Sequence, residues 1–326
     1  MKLPRFLSSL LSSPVGRAVL ALVGMLVLGA IFNADGAFFH WTTHRDMLRQ
    51  LSVYGMLACG MTLVIITSGI DLSVSSVLAA CAVGFSLMTI HMQMNPWLAI
   101  VAVLLGGTAV GAVSGVFVGR FKIQPFVVTL AAMVLLRGLA KHLSGGQKIS
   151  TYIADADKSV ALPPIFEQID ARVLGDNIAI VTLIFLLCVA GSAFLLRHAR
   201  LGRYFYATGG NAEAARLSGV PVTRTLVLAY ALSGLFSAIA GVCQAAQEQQ
   251  GDPETGMGYE LQAIAIVVIG GTNLAGGRGG MGLTLVGALT IGYLQKILSI
   301  NAVGEASRLM LTGAIIVCAV LLQRRK

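Results

Sequence analysis

The sequence predicts an all-α membrane protein with about ten transmembrane helices, and three observations carry that expectation. Of its 326 residues, 56% are hydrophobic and 11% charged, against about 25% charged in soluble domains. The apolar residues gather into long runs separated by short polar gaps. Cations collect in alternate gaps, as the positive-inside rule requires. The net charge of +9 invites a nucleic-acid reading, but no basic patch alternates with aromatic residues, so nucleic acid is not expected as a partner and membrane lipid is.

The spans follow in order. A first run, Val19 to Phe32, lies behind Lys2 and Arg5; it lacks a small-x-small cleavage site and reads as a span, not a leader. A polar gap with Arg45, Asp46 and Arg49 leads to a second run, Leu51 to Thr67. A third ends near Met92, and a fourth, opened by Pro96, ends near Val118. The fourth carries Gly107, Gly111, Gly115 and Gly119 at four-residue spacing, which lines one helix face with small residues and lets another backbone come close. A fifth run extends from Pro125 to Leu139, a sixth from Ile178 to Leu196 and a seventh from Leu226 to Gln244. The last three are Leu261 to Ile269, which is the shortest, Leu283 to Leu298, and Met310 to Leu322. With the N-terminus inside, Arg120, Lys122, Arg197, Arg200, Arg203, Arg216, Arg224, Arg278 and the terminal basic residues fall on the cytoplasmic side, and both termini share it. The whole chain, 1–326, is expected to form a single membrane domain, with an N-terminal span and external loop over 1–50 and a second external loop over 144–177.

The one long polar, basic segment in the middle of the chain is Leu201 to Val222, which parity places inside the cell. It encodes a short helix: Asn211 caps the start, Glu213 sits in the first turn and Arg216 in the last, where the helix dipole favours an anion and a cation respectively. Gly219 and Pro221 stop it, and Gly209 and Gly210 ahead of it supply a hinge. Eight residues do not hold a helix alone in water, so a partner is expected to pack on it.

Two local patterns interrupt the apolar sequence. Gly69-Ile70-Asp71-Leu72 and Gly271-Thr272-Asn273-Leu274 share a Gly, an Asp or Asn, and a Leu. Two readings stand: both are helix breaks that line a substrate path, with Ser73 beside Asp71, or both are interfacial turns in which Asp71 and Asn273 cap the helices that follow. Further candidates for gripping a neutral, hydroxyl-rich substrate are Gln124, Phe126 and Glu260, followed by Arg137, Gln244, Gln247, Tyr259, Gln262 and Gln295. For each of these, interhelical hydrogen bonding is the competing role.

The chemistry of an enzyme is missing from the pattern. There is no G-x-x-x-x-G-K-[ST] loop, no H-E-x-x-H and no zinc spacing, and the five cysteines lie inside apolar runs as small buried hydrophobes. The string Leu143-Ser144-Gly145-Gly146-Gln147 spells the signature of ATP-binding cassettes. It falls on the outer side and lacks any phosphate loop, so it reads as coincidence.

Four blocks, Gly60 to Ser76, Lys122 to Gly138, Leu201 to Val222 and Gly258 to Gly279, closely resemble the permease subunits of bacterial ATP-binding-cassette importers for sugars, the ribose type. Ser75 stands where that pattern has Gly, and the 144–177 loop shows little likeness. The resemblance implies a type II importer fold in the bacterial inner membrane, a homodimer or heterodimer of permeases, two cytoplasmic ATPase cassettes and a periplasmic sugar-binding protein. It implies no cofactor on this chain, with ATP and magnesium held by the cassettes. It makes 197–225 the cassette-coupling loop and carries over Gly210, Asn211, Glu213, Arg216 and Gly219 as coupling residues. Arg45, Arg49, Arg172 and Arg308 are the external cations expected to dock the binding protein. The rival expectation is a stand-alone ion-coupled secondary transporter with Asp71 as its ion site.

Overall fold

The computed structural model describes residues 13–153, 158–304, 306–308, 310–311 and 313–314. Ser13 caps α1 (Pro14–Ile31) by accepting from the Gly16 amide, with Pro at the first helical position. There follow α2 (Trp41–Ile66), α3 (Val74–Ser86, continued by a π turn to His91), α4 (Pro96–Gly119) and α5 (Pro125–Leu143). Two small hairpins, β1–β2 (Tyr152–Ile153, Lys158–Ser159) and β3–β4 (Arg172–Val173, Ile178–Ala179), flank the short α6 (Pro164–Asp170). The chain then builds α7 (Ile180–His198), α8 (Arg200–Gly210), α9 (Ala212–Leu217), α10 (Val222–Glu248), α11 (Tyr259–Gly270) and α12 (Met281–Ile300).

Among the described residues seven of these helices, α2 to α5, α7, α10 and α12, are long and apolar enough to cross a membrane. The fold is all-α and built for the bilayer. The expected tenth span, Met310 to Leu322, lies almost wholly outside the described residues. Within α2, α3 and α10, 83%, 72% and 67% of the apolar stretch is buried in protein, whereas α4 and α5 bury 28% and 22%. The first three are therefore the core, and the other two turn their Leu, Val and Phe outward.

Close approach to α10 explains that arrangement. An added Cβ at Gly107 would meet Ala238 and the Gly234 carbonyl, at Gly111 the Tyr230 carbonyl, at Gly115 the Val227 backbone, and at Gly119 the Thr223 backbone. The four glycines thus face four successive turns of one antiparallel neighbour, which is how helices associate where lipid supplies no hydrophobic drive. Hydroxyl pairs tie α2 to its other neighbours: Ser52 Oγ donates to Thr182 Oγ1 at 3.1 Å, and Thr62 shares a hydrogen bond with Thr284 at 2.7 Å.

One expectation fails locally, and the eighth run, expected as the shortest, is short enough to need help in crossing. Arg45, Asp46 and Arg49, placed in an external gap by the sequence, lie in the first turns of α2. Their charges are tolerated there because Arg45 pairs with Asp176 at 2.8 Å, Arg49 with Asp170 at 2.6 Å, and Asp46 with Arg172 at 2.6 Å. These pairs also bind the 144–177 segment down, so Arg45, Arg49 and Arg172, expected to dock a partner, are engaged within the chain. The eighth span is a helix of only 12 residues, about 18 Å long, roughly half a bilayer. The chain before it completes the crossing. Gly251 pairs with Ile149 and lies against Ala82, Val83 and Ser86 of α3, and Gly256 lies two turns lower against Leu78 and Ser75. Residues 249–258 therefore descend along α3, and α11 starts at mid-depth.

The ATP-signature look-alike is the C-terminal stop of α5. Gly145 and Gly146 take φ of 62° and 75°, and the Gly146 amide donates back to the Lys141 carbonyl at 2.7 Å. A phosphate-binding signature needs free amides at a helix N-terminus, and here the glycines close a C-terminus.

Candidate functional site

The polar mid-chain segment forms two helices where the sequence suggested one. α9 has the expected signals: Asn211 Oδ1 accepts from the Ala214 amide at 2.9 Å, and Gly219 follows with φ of 82°. Arg216 reaches back to Glu213 through two bonds of 3.1 and 2.5 Å. That charged hydrogen bond holds the Glu213 carboxyl below its ordinary range and pushes Arg216 further up. Only Ala215 is buried in α9, and Leu217 is 74% exposed, so the helix presents Leu217 outward with the charged Glu213 and Arg216.

Gly209 and Gly210, expected to be a hinge, are the last turn of α8. α8 buries Gly202, Phe205, Thr208 and Gly209 on one face, a helical period that the sequence carries within a stretch polar enough to resemble a loop. Gly209 is pressed so tightly on the Ile66 carbonyl that no Cβ fits. Around this contact a backbone joint forms. Ser68 Oγ lies between the Gly209 carbonyl at 3.0 Å and the Ala275 carbonyl at 2.9 Å, the Gly277 amide donates to the Ile66 carbonyl at 2.9 Å, and Tyr206 donates to the Gly279 carbonyl at 3.0 Å. The end of α8 is thereby joined to the end of α2 and to the 271–280 turn between α11 and α12.

The two helix breaks meet at this joint, yet Asp71 and Asn273 part company. Asp71 is 2% exposed. Its Oδ1 accepts from the Ser73 amide at 3.0 Å and the Ser73 hydroxyl at 2.6 Å, and its Oδ2 from Ser233 at 2.7 Å. Ser233 lies about 16 Å along α10 from Val222, so the 67–73 segment turns back into the protein, and Asp71 holds Ser73, the residue that precedes α3, and ties it to α10. Asn273 is exposed and folds its own turn, accepting from the Ala275 amide at 3.1 Å. Gln124 and Phe126 sit exposed at the entry to α5. Glu260 faces a cavity of about 260 Å³ beside Arg137, Ser75 and Ser76.

A different set of polar residues converges. Between α2, α10, α11 and α12 lies a cavity of about 320 Å³, toward the end opposite α9. Gln244 and Gln247 from α10, Gln262 from α11, Gln295 from α12 and Gln50 from α2 line it. Tyr54 and Tyr259 form an aromatic wall with ring centroids 4.5 Å apart. Gln244 is fixed by donating to Glu248 at 2.6 Å and Gln247 by donating to the Arg49 carbonyl at 3.1 Å. Four of the amides were visible singly in the sequence. Gln50 follows Arg49 in a polar gap, and nothing in its local sequence signals that four distant helices bring these amides together. Among the described residues no group of three His, Cys, Asp or Glu is placed to hold a metal ion.

Apolar helices broken at mid-depth, a polar cavity between them and a paired helix at one end define a transport permease. Residues 44–320 match the family described as Branched-chain amino acid transport system / permease component, and the chain belongs to it. It is 39% identical over 311 residues to Ribose import permease protein RbsC of Escherichia coli K12, covering 94% of this chain and 93% of that one. It is 33% identical to Fructose import permease protein FruF of Bifidobacterium longum, covering 97% and 89%, and 35% identical to L-arabinose transport system permease protein AraH of Escherichia coli K12, covering 93% and 90%. No solved structure matches the chain.

Proposed function

We propose that this chain is the membrane permease of an ATP-driven importer that moves a neutral monosaccharide across the bacterial inner membrane. The observation that carries the reading is the near full-length likeness to permeases named for ribose, fructose and L-arabinose. In this reading two permease copies, identical or paired with a relative, sit on two ATPase cassettes that hold ATP and magnesium, and a periplasmic binding protein delivers the sugar. The α9 end faces the cytoplasm, with Arg200, Arg203, Arg216 and Arg278 on that side.

The coupling step follows from the joint. A cassette that grips Glu213, Arg216 and Leu217 moves α9 and α8 as a unit, because Asn211 links the two helices without an intervening loop. Through Gly209 and Ser68 that movement reaches the end of α2 and the turn between α11 and α12. Those three helices wall the cavity, so displacement at α9 changes its shape. Gly210 and Gly219 act as the bounds of the moving helix. Asp71 is a structural tie in this scheme, not an ion site, which separates the reading from a secondary transporter.

The test is uptake of labelled pentoses and hexoses into proteoliposomes holding the permease with its cassettes, binding protein and ATP. Uptake that needs ATP, and loss of cassette co-purification in the Glu213→Ala/Leu217→Ala double variant, are expected. Uptake driven by an ion gradient with no cassette present overturns the reading.

A further inference from the structure

The polar cavity asks for an occupant. Its volume of about 320 Å³ lies at the lower end of small-molecule sites, which run from roughly 300 to 1,000 Å³. Among the described residues its lining has amides from four helices and two tyrosines, no carboxylate and a single cation, Arg308. Every amide offers two donors and an acceptor, the set that matches hydroxyls, which also donate and accept. An amino-acid ammonium would meet no counter-charge among these residues. Gln262 Oε1 is buried without a hydrogen-bond partner, although a buried acceptor left unpaired is disfavoured and normally finds a donor. The Tyr54 and Tyr259 rings, tilted 54° to one another, supply aromatic faces of the kind that the C–H side of a sugar ring packs on.

Position agrees with chemistry. Gln50 and Ser299 are exposed, at the mouth on the end opposite α9, while Gln244 is buried. The wall helices α2, α11 and α12 are those fixed to α8 at the other end.

We infer that this cavity is a monosaccharide station inside a single permease chain, in which Gln262 and Gln295 bind the sugar hydroxyls against the Tyr54–Tyr259 wall. The station rests on the proposed sugar-import function. It binds the sugar as the binding protein releases it, and the amides hold it weakly enough to let go when α2, α11 and α12 shift.

The experiment uses the full complex with a Cys318→Ser background and Ser299→Cys as a reporter at the mouth; Cys59, Cys81, Cys188 and Cys243 are buried. Maleimide labelling of the reporter is timed with the transported pentose or hexose and with leucine at the same concentration. The sugar is expected to slow labelling at least threefold and leucine to leave it unchanged. In parallel, Gln262→Leu is expected to lower sugar uptake per ATP hydrolysed at least tenfold, with Gln262→Asn intermediate, in complexes shown by size exclusion to be assembled. If the wild-type complex imports a sugar but the sugar gives no protection and Gln262→Leu keeps wild-type uptake per ATP, the cavity assignment falls and the importer reading stands. If the wild-type complex imports leucine and no sugar, both fall.

Discussion

Replacing Gly111 by Ala puts a methyl group into the closest contact between α4 and α10. The new Cβ would overlap the Tyr230 carbonyl and crowd Ala231 Cα, both backbone atoms that cannot swing aside. The helices must separate, and Gly107, Gly115 and Gly119 hold the same seam over about 18 Å of α4, so the strain spreads along it. Overpacking of this kind costs about 1–3 kcal/mol. The same substitution gains about 1 kcal/mol of helix propensity, which would blur a single measurement. Gly106 supplies the control, since it is one residue away, exposed, and an added Cβ there meets nothing within 4 Å. Gly106→Ala carries the propensity gain alone. The expected difference between the two variants is therefore the overpacking cost itself, about 1–3 kcal/mol, with Gly106→Ala at or above wild-type stability. Equilibrium denaturation in mixed micelles reads both. Equal stabilities would refute the packing argument for the glycine row.

The remaining predictions concern the tie and the coupling helix. Asp71→Asn keeps an acceptor for Ser73 and is expected to retain most ATP-driven uptake, whereas Asp71→Leu strands the Ser73 and Ser233 donors and lowers stability by about 1–3 kcal/mol; abolished uptake in a stable Asp71→Asn variant would point to an ion site instead. At α9 the sign of the pH effect is fixed by Glu213, whose carboxyl is held below its ordinary range by Arg216. Its contribution is present above the ordinary carboxylate pKa, about 4.3, and is lost as pH falls through the lowered value. Cassette co-purification is expected to be constant from pH 7.5 to 5.5 on this account, and a decline centred near pH 6.5 would assign the contact to another group.

How much of this was legible in the sequence differs from feature to feature. The cap, charges and stop of α9 are local signals, and Asn211, Glu213, Arg216 and Gly219 occupy the positions they announce. The glycine row announced a close helix contact but not which helix lies across it, because four-residue spacing describes one surface only. α8 is hard to see in the sequence because its buried face, Gly202, Phe205, Thr208 and Gly209, has a single large apolar residue among small ones and lies between arginines, so its mean hydropathy is that of a loop. The descent of 249–258 was misplaced because a polar segment inside protein has the same composition as one in water. The cavity was the least legible: Gln50 and Gln295 are far apart in the chain, and only the packing of α2 on α12 brings them to one space.

The joint at Gly209 is made of main chain. Ile66, Gly209, Ala275, Gly277 and Gly279 contribute carbonyls and amides, and the side chains of Ser68 and Tyr206 bind to them. The shape of such a joint is set by where the peptide bonds run, so it tolerates change in the residues of α9 beyond it. The outward residues Glu213, Arg216 and Leu217 can drift to suit a different motor while the linkage behind them keeps its stroke. Engine and gearbox are separable here, and exchanging α9 between relatives should retarget the chain to another ATPase without rebuilding the transport path.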